Sequence, residues 1–189
     1  MNTPAHLIFG ATAFARPDRK GTLPAALAGS LAPDVSLYVM VAVSIWVLDV
    51  PARTVFGEYY YSDAWQSVFA VDNSFILWGT LFAVALWRRR QVLAAFAGAG
   101  FLHLAFDFPL HTHDARMHFW PVSDWVFESP YSYWDNAAHA DVIGPWTLAM
   151  TLFLAGYLIT RYRTLGVRFL VVLLASAELM SSGVWQFVF

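Results

Sequence analysis

The sequence predicts an all-helical bundle that crosses a membrane about five times. Three observations support this fold class: the composition, the length of the apolar runs and the alternation of basic loops along the chain. The 189 residues are 59% hydrophobic and only 13% charged, and their mean hydropathy is +0.53. In an ordinary soluble domain about 25% of the residues are charged, so water is not the main solvent of this chain.

The apolar stretches define the predicted elements in chain order. The run from His6 to Ala15 is apolar but short, which is typical of a partial or re-entrant helix. A bilayer core of about 30 Å needs roughly 20 apolar residues in a helix. By that test the predicted spans are about 36–50 extended back through 23, about 70–87, about 91–107, about 142–160 and about 168–187. We expect one integral membrane domain over residues 1–189, with an outer loop at about 108–141.

The basic residues predict the orientation of these spans. Nine of the eleven Lys and Arg residues form three clusters, and the clusters fall in alternate loops: Arg16, Arg19 and Lys20; Arg88 to Arg90; Arg161, Arg163 and Arg168. Loops rich in Lys and Arg stay in the cytoplasm. We therefore expect a multi-pass protein of the bacterial inner membrane, with its acidic, aromatic loops in the periplasm.

Composition also restricts the possible functions. There is no cysteine, so any metal must be held by histidine nitrogen and carboxylate oxygen. A net charge of −2 argues against nucleic acid as a partner, because phosphate-backbone binding needs a basic patch.

A concentration of histidine and aspartate follows the third predicted span. His103 and Asp107 are four residues apart, so a helix presents both on one face. The chain continues with His111, His113, Asp114 and His118, which gives four of the six histidines within the sixteen residues 103–118. Imidazole and carboxylate at this spacing are suited to zinc, manganese or iron. The pattern favours a metal or catalytic site over a polar cap on the helix end.

Other polar residues occur where an apolar segment makes them costly. Asp34 follows Pro33, and the proline predicts a helix break at which Asp34 either binds a cation or caps the next helix. His6 alone is typical of an interfacial side chain. Asp72 either caps the helix that follows it or supplies a further ligand, and Glu178 is expected to be neutral and hydrogen-bonded to another helix.

Four short elements resemble the YdjM-like membrane-bound metal-dependent hydrolases, in the same order along most of the first 130 residues: Asn2-Thr3-Pro4-Ala5-His6, Leu31-Ala32-Pro33-Asp34, Gly100 to Pro109 and Phe119-Trp120-Pro121. The resemblance implies that His6, Asp34, His103 and Asp107 are metal-site positions. The sequence departs from the family at Ser36, where the family has a second aspartate. It also departs at residues 71–74, where Asp72 stands near an expected histidine.

Together these patterns predict a membrane-bound hydrolase that uses a divalent metal ion, zinc or manganese, near the outer edge of the bilayer. The expected metal ligands are His6, Asp34, Asp72, His103 and Asp107, and the expected proton relays are His111, His113 and Asp114. The location points to a membrane lipid or lipid-linked phosphate as substrate.

The alternative is a non-catalytic accessory subunit that binds a membrane protein through the aromatic outer segment 119–134, with Trp125 and Trp134 as contacts. A transporter with an ion path through Asp34 and Glu178 is less favoured, because the sequence shows no internal repeat.

Overall fold

The computed structural model describes residues 1–181, and these residues form helices and loops without a strand. The predicted fold class, an all-helical bundle, is confirmed. Short π or 3-10 segments extend some helices at Val43–Val47, Val55–Tyr59, Phe108–Leu110 and Asn136–Ala138. The eight α-helices are α1 (Thr3–Phe14), α2 (Thr22–Ala42), α3 (Ala52–Thr54), α4 (Asp63–Asp72), α5 (Phe75–Trp87), α6 (Gln91–Asp107), α7 (Ala140–Arg161) and α8 (Leu165–Ser181).

Four helical segments in the described part of the chain are long and apolar enough to cross a membrane: Thr22–Val47, Asp63–Trp87, Gln91–Leu110 and Ala140–Arg161. They match four of the predicted spans. The fifth, about 168–187, overlaps α8, but residues 182–187 lie outside the described residues. The predicted N-terminal partial helix is α1, which has 12 residues and is therefore too short to span a bilayer.

Apolar side chains cover the outside of the bundle. In the four candidate spans only 17–44% of the most apolar window is buried inside the protein. Trp46 and Phe153, for example, are 82% and 71% exposed. Exposed apolar surface of this extent is unfavourable in water but matches the hydrocarbon of a bilayer. The chain is therefore a membrane protein.

Helix α6 is the centre of the bundle and packs against α1, α2 and α5. Its contact with α2 is close enough that backbone meets backbone. A Cβ atom added at Gly29 would lie 2.7 Å from the carbonyl carbon of Phe96 and 2.9 Å from its Cα. Only glycine fits at such an approach, and this packing brings the middle of α2 beside the second half of α6.

The helix break predicted at Pro33 is wrong. Helix α2 continues from Thr22 to Ala42 with Pro33 inside it. The Pro33 carbonyl also accepts a hydrogen bond from Asn73 Nδ2 at 3.4 Å, which ties this part of α2 to the end of α4. Asp34 consequently lies in the interior of a helix and does not act as an N-cap.

The two ends of the bundle differ in charge. Arg16 and Arg19 line a cavity at the start of α6, and Arg161 donates a hydrogen bond to the Thr12 carbonyl at 3.1 Å, so the basic loops meet at one end. Asp34 and His103 lie twelve residues beyond the first residue of their helices, roughly 18 Å from that end at about 1.5 Å per residue. The polar side chains therefore lie in the opposite half of the bundle, beneath the loop that follows α6.

Candidate metal site

Three side chains converge where the start of α1 meets the end of α6. His6 Nε2 lies 2.9 Å from Asp107 Oδ1, and His103 Nε2 lies 3.1 Å from Asp107 Oδ2. The two imidazole rings are stacked, with centroids 3.7 Å apart and planes inclined by 14°. All three side chains are buried, so His6 joins two side chains that lie 97 and 101 residues further along the chain in one compact group of possible metal ligands.

The second ring nitrogen of His103 contacts a backbone carbonyl, and this contact fixes the orientation of the ring. His103 Nδ1 lies 2.7 Å from the backbone carbonyl of Ser30 on α2. A carbonyl only accepts, so Nδ1 carries a proton, and Nε2 is the nitrogen that faces Asp107. A carbonyl that holds the far nitrogen in this way orients a metal-binding histidine. The close approach of α2 to α6 at Gly29 places the carbonyl there.

The nitrogens that face the carboxylate have no hydrogen bond. His6 Nε2 and His103 Nε2 are both buried, and neither has the geometry of a hydrogen bond to the described residues despite the short distances to Asp107. Buried polar atoms are nearly always partnered. Two buried nitrogens without a hydrogen bond beside one carboxylate make this group a candidate metal site.

Asp34 approaches the same group from α2. Its Oδ2 lies 3.7 Å from His103 Nε2, and its side chain is 13% exposed. The structure thus brings together three of the four positions that the resemblance implied, His6, His103 and Asp107, and places Asp34 beside His103 at their edge.

The donor set fits a divalent ion. In a tetrahedral site with bonds of about 2.0–2.1 Å, neighbouring ligand atoms are roughly 3.3 Å apart. The distances of 2.9 Å from His6 Nε2 and 3.1 Å from His103 Nε2 involve different oxygens of Asp107, and one ligand atom from each of the three residues lies within 4.8 Å of the others. Two imidazoles with one or two carboxylates suit zinc, manganese or iron.

His111 and Asp114 form a pair beside this group. His111 Nδ1 lies 2.6 Å from Asp114 Oδ2, and His111 Nε2 lies 3.5 Å from Asp107 Oδ2. Burial lowers the pKa of His111, but Asp114 and Asp107 outweigh it and raise the pKa to about 9. The ring therefore connects the candidate metal ligands with a second carboxylate, which is a suitable place for a proton relay.

Trp134 is part of this arrangement. Its indole Nε1 donates to Asp114 Oδ2 at 3.2 Å, and the Thr112 backbone N–H donates to Asp114 Oδ1 at 3.2 Å. Trp134 thus contributes to the site, whereas Trp125 is 54% exposed and is the more accessible of the two expected partner contacts.

Two of the expected site residues do not join the group. Among residues 1–181, no contact connects the Asp72 carboxylate with His6, His103 or Asp107. The adjacent Asn73 is buried instead, and its backbone carbonyl oxygen lies 2.9 Å from His118 Nδ1. His113 points outward with a side chain that is 73% exposed, and its nearest charged partner is Asp135 at 4.0 Å.

The structure also adds Arg116, which sequence reasoning missed. Its side chain is 7% exposed, Nη1 lies 3.7 Å from Asp34 Oδ1, and Nη2 donates to the Tyr60 hydroxyl at 3.4 Å. A signal was present in the sequence, because Arg116 is one of only two basic residues outside the three basic clusters. An isolated arginine in an acidic loop is a candidate for a specific role.

Glu178 on α8 anchors the start of α1. One carboxylate oxygen accepts from the Ala5 backbone N–H at 3.2 Å, and the other accepts from Asn2 Nδ2 at 3.0 Å. The N-terminal N–H groups of a helix lack intrahelical partners, so Glu178 supplies one and holds the turn that carries His6. The amino group of Met1 also donates to Asp107 Oδ1.

The fold and the site together define a polytopic helical membrane protein with a buried histidine and aspartate centre. Comparison of the chain with protein-family models, curated proteins and solved structures found no match. Its function is therefore inferred from the site.

Proposed function

We propose that this chain is a membrane-bound metal-dependent hydrolase. The observation that carries the proposal is the pair of buried, unpartnered Nε2 atoms of His6 and His103, both within 3.1 Å of the Asp107 carboxylate. The order of motifs resembling the YdjM-like hydrolases supports it independently. Asp34 at 3.7 Å from His103 supplies a fourth ligand, and zinc or manganese fits the donor set.

The chain's own residues suggest a division of roles. A divalent ion at the site would acidify a bound water and polarise the substrate oxygen. His111, held by Asp114 at 2.6 Å, is oriented to move a proton at the edge of the ligand group. Ser30 orients His103, and Glu178 orients the turn of His6. The side chains of His6, His103 and Asp107 are at most 8% exposed, so bulk water has little access to them.

The orientation of the protein is part of the proposal. The basic loops lie at one end and the site lies in the opposite half. By the positive-inside rule the basic end is cytoplasmic, so the site opens on the periplasmic side of a bacterial inner membrane. A cysteine introduced at His113, which is 73% exposed, should react with a membrane-impermeant maleimide in intact spheroplasts. Labelling only after lysis would show that this loop faces the cytoplasm and that the proposed orientation is wrong.

Metal analysis of the full chain in detergent tests the central claim. We expect about one zinc, manganese or iron per chain, and a loss of at least about tenfold in metal affinity for His103→Ala. His113→Ala is the matched control, because it removes the same side chain from an exposed position and should retain the ion. Protein without stoichiometric metal, or a His103→Ala variant that binds like the parent, would contradict the proposal.

Catalysis requires a second test. Hydrolysis of p-nitrophenyl phosphate and p-nitrophenyl acetate should be abolished by a chelator and restored by manganese or zinc. His111→Ala should reduce the rate by roughly a hundredfold, within the usual range for a proton-transfer group, while retaining the metal. If the metal-loaded protein hydrolyses neither compound faster than its His111→Ala variant, the metal site would stand but the hydrolase function would be contradicted.

An accessory role in a membrane complex remains the second candidate. It is favoured by the exposure of Val122 and Trp125, at 77% and 54%, in the aromatic outer segment 119–134. Exposed aromatic residues are typical of interfaces. A partner that copurifies with the parent and with His103→Ala, but not with Trp125→Ala, would support this role.

A further inference from the structure

Arg116 is a buried cation whose donors are not all used. Its guanidinium carries five N–H groups. Among the described residues, Nη2 donates to the Tyr60 hydroxyl at 3.4 Å, Nη1 faces Asp34 at 3.7 Å, and Nε has no hydrogen-bond partner. A buried arginine that serves only structure normally has short, bidentate pairing with a carboxylate. The contact with Asp34 is longer than such a pair, so Arg116 retains hydrogen-bonding capacity.

The position of the guanidinium is fixed by aromatic side chains. Its Cζ lies 4.6 Å from the centre of the buried Phe69 ring and 6.0 Å from that of Tyr60. Stacking on an aromatic face leaves the edge of the guanidinium, where its N–H groups are, directed sideways. The charge is therefore held in one orientation without its donors being consumed.

A cavity joins Arg116 to the candidate metal ligands. It has a volume of about 50 Å³, and its walls include Asp34, Tyr60, Asp107, His111 and Arg116. One water needs roughly 10–15 Å³ on this measure, so the cavity accommodates about three or four water-sized groups. A phosphoryl group, with three terminal oxygens on one phosphorus, is of that size.

We infer that Arg116, positioned by Phe69 and Tyr60, forms a subsite for the phosphate group of a phosphate monoester beside the His6–His103–Asp107 group. This inference rests on the proposed hydrolase function and specifies its substrate class. A planar guanidinium matches the oxygens of a phosphate, and a metal ion opposite a cationic side chain is a recurrent clamp on phosphoryl groups. A carboxylate has only two oxygens and fills this clamp less completely.

The experiment uses the full chain in detergent, loaded with Mn²⁺ and titrated calorimetrically with inorganic phosphate. Arg116→Gln should weaken phosphate binding by about a hundredfold and Arg116→Lys by about tenfold, the range for hydrogen bonds to charged groups. Mn²⁺ affinity should change by less than about threefold, because Arg116 is not a ligand. Arg53→Gln is the control, since Arg53 is an exposed arginine outside the site.

The lysine variant keeps a positive charge beside Asp34. If the glutamine variant does not fold, the phosphate titration is made with the lysine variant. Phosphate affinity that is unchanged in a folded Arg116 variant overturns the inference. Acetate binding as tight as phosphate binding overturns the phosphate class. Tighter binding of dihexanoyl phosphatidic acid than of phosphate supports a lipid headgroup, and equal binding supports a soluble monoester.

Failure of the metal site is distinguishable from failure of this subsite. If the parent protein binds none of zinc, manganese and iron, the proposed function fails, and the same phosphate titration in chelator-treated protein decides the subsite. Phosphate binding that depends on Arg116 but not on Arg53 would still support it. No phosphate binding by the parent protein with or without Mn²⁺ would overturn it.

Discussion

Replacing Gly29 by alanine tests the packing that holds the site together. The added Cβ would lie 2.7 Å from the Phe96 carbonyl carbon, whereas ordinary contact begins near 3.4 Å. Helices α2 and α6 must therefore separate by at least about 0.7 Å, because the opposing atoms belong to a backbone that cannot rotate away. The next residue, Ser30, would then move from 2.7 Å to about 3.4 Å from His103 Nδ1, beyond the usual limit of about 3.2 Å.

Two opposing effects determine how much Gly29→Ala changes the stability of the protein. Alanine improves helix propensity by roughly 0.5–1 kcal/mol, while overpacking costs typically 1–3 kcal/mol. We expect net destabilisation of about 1–2 kcal/mol and a loss of roughly tenfold in metal affinity as His103 loses its orienting partner. Thermal unfolding in detergent and a Mn²⁺ titration measure the two effects.

Gly156→Ala is the matched control for this variant. Gly156 also lies inside a helix, α7, but an added Cβ there would meet no atom within 4 Å. That substitution should leave metal affinity unchanged and stabilise the protein by up to about 1 kcal/mol. A Gly29→Ala protein that matches Gly156→Ala in both stability and metal affinity would refute the reasoning.

Three further predictions concern residues around the site. Glu178→Gln should retain most metal affinity because its amide oxygen still accepts from Ala5 N–H, whereas Glu178→Leu should lose roughly tenfold; equal affinities in a Mn²⁺ titration would contradict this. Trp134→Phe, which removes the donor to Asp114, should lower kcat by about threefold to tenfold with metal content unchanged; an unchanged kcat would be inconsistent with a role for this bond. Burial lowers the pKa of His118 to about 4 while the unfolded chain titrates near 6.5, so the unfolded state binds more protons between these values. Stability should therefore be full above pH 6.5 and decrease by up to roughly 3 kcal/mol as the pH falls to 4, and a folded His118→Gln variant should show a smaller decrease in the same unfolding assay.

The helical architecture was accessible from the sequence because bilayer thickness sets the length of an apolar helix. The predicted helix break at Pro33 was wrong, and the reason is equally physical. Local rules assign a missing donor and a steric clash to every internal proline. They do not include tertiary packing, and α2, which packs against α1 and α6, continues through Pro33.

The candidate site was accessible only in part. The four-residue spacing places His103 and Asp107 on one face of α6 whatever surrounds that helix. His6 came from the resemblance alone, and Asp34 was a candidate both from its place after Pro33 and from the resemblance. Local sequence does not determine which helix either residue faces. Asp72 and Asn73 are adjacent, yet Asn73 turns into the protein and Asp72 does not reach the group. Such a choice depends on helix rotation, which tertiary packing decides.

Asp107 connects the separate functions of the proposed site. Its Oδ1 faces His6, and its Oδ2 faces both His103 and His111, so one carboxylate borders the candidate ligands and the candidate proton relay. A carboxylate can serve several partners because its two oxygens offer about four acceptor positions. An amide offers acceptors on one oxygen only, so an asparagine at this position could face one side but not both. The geometry therefore couples the two functions through a single residue at the end of α6, and the short helix α1 brings His6 to that same point.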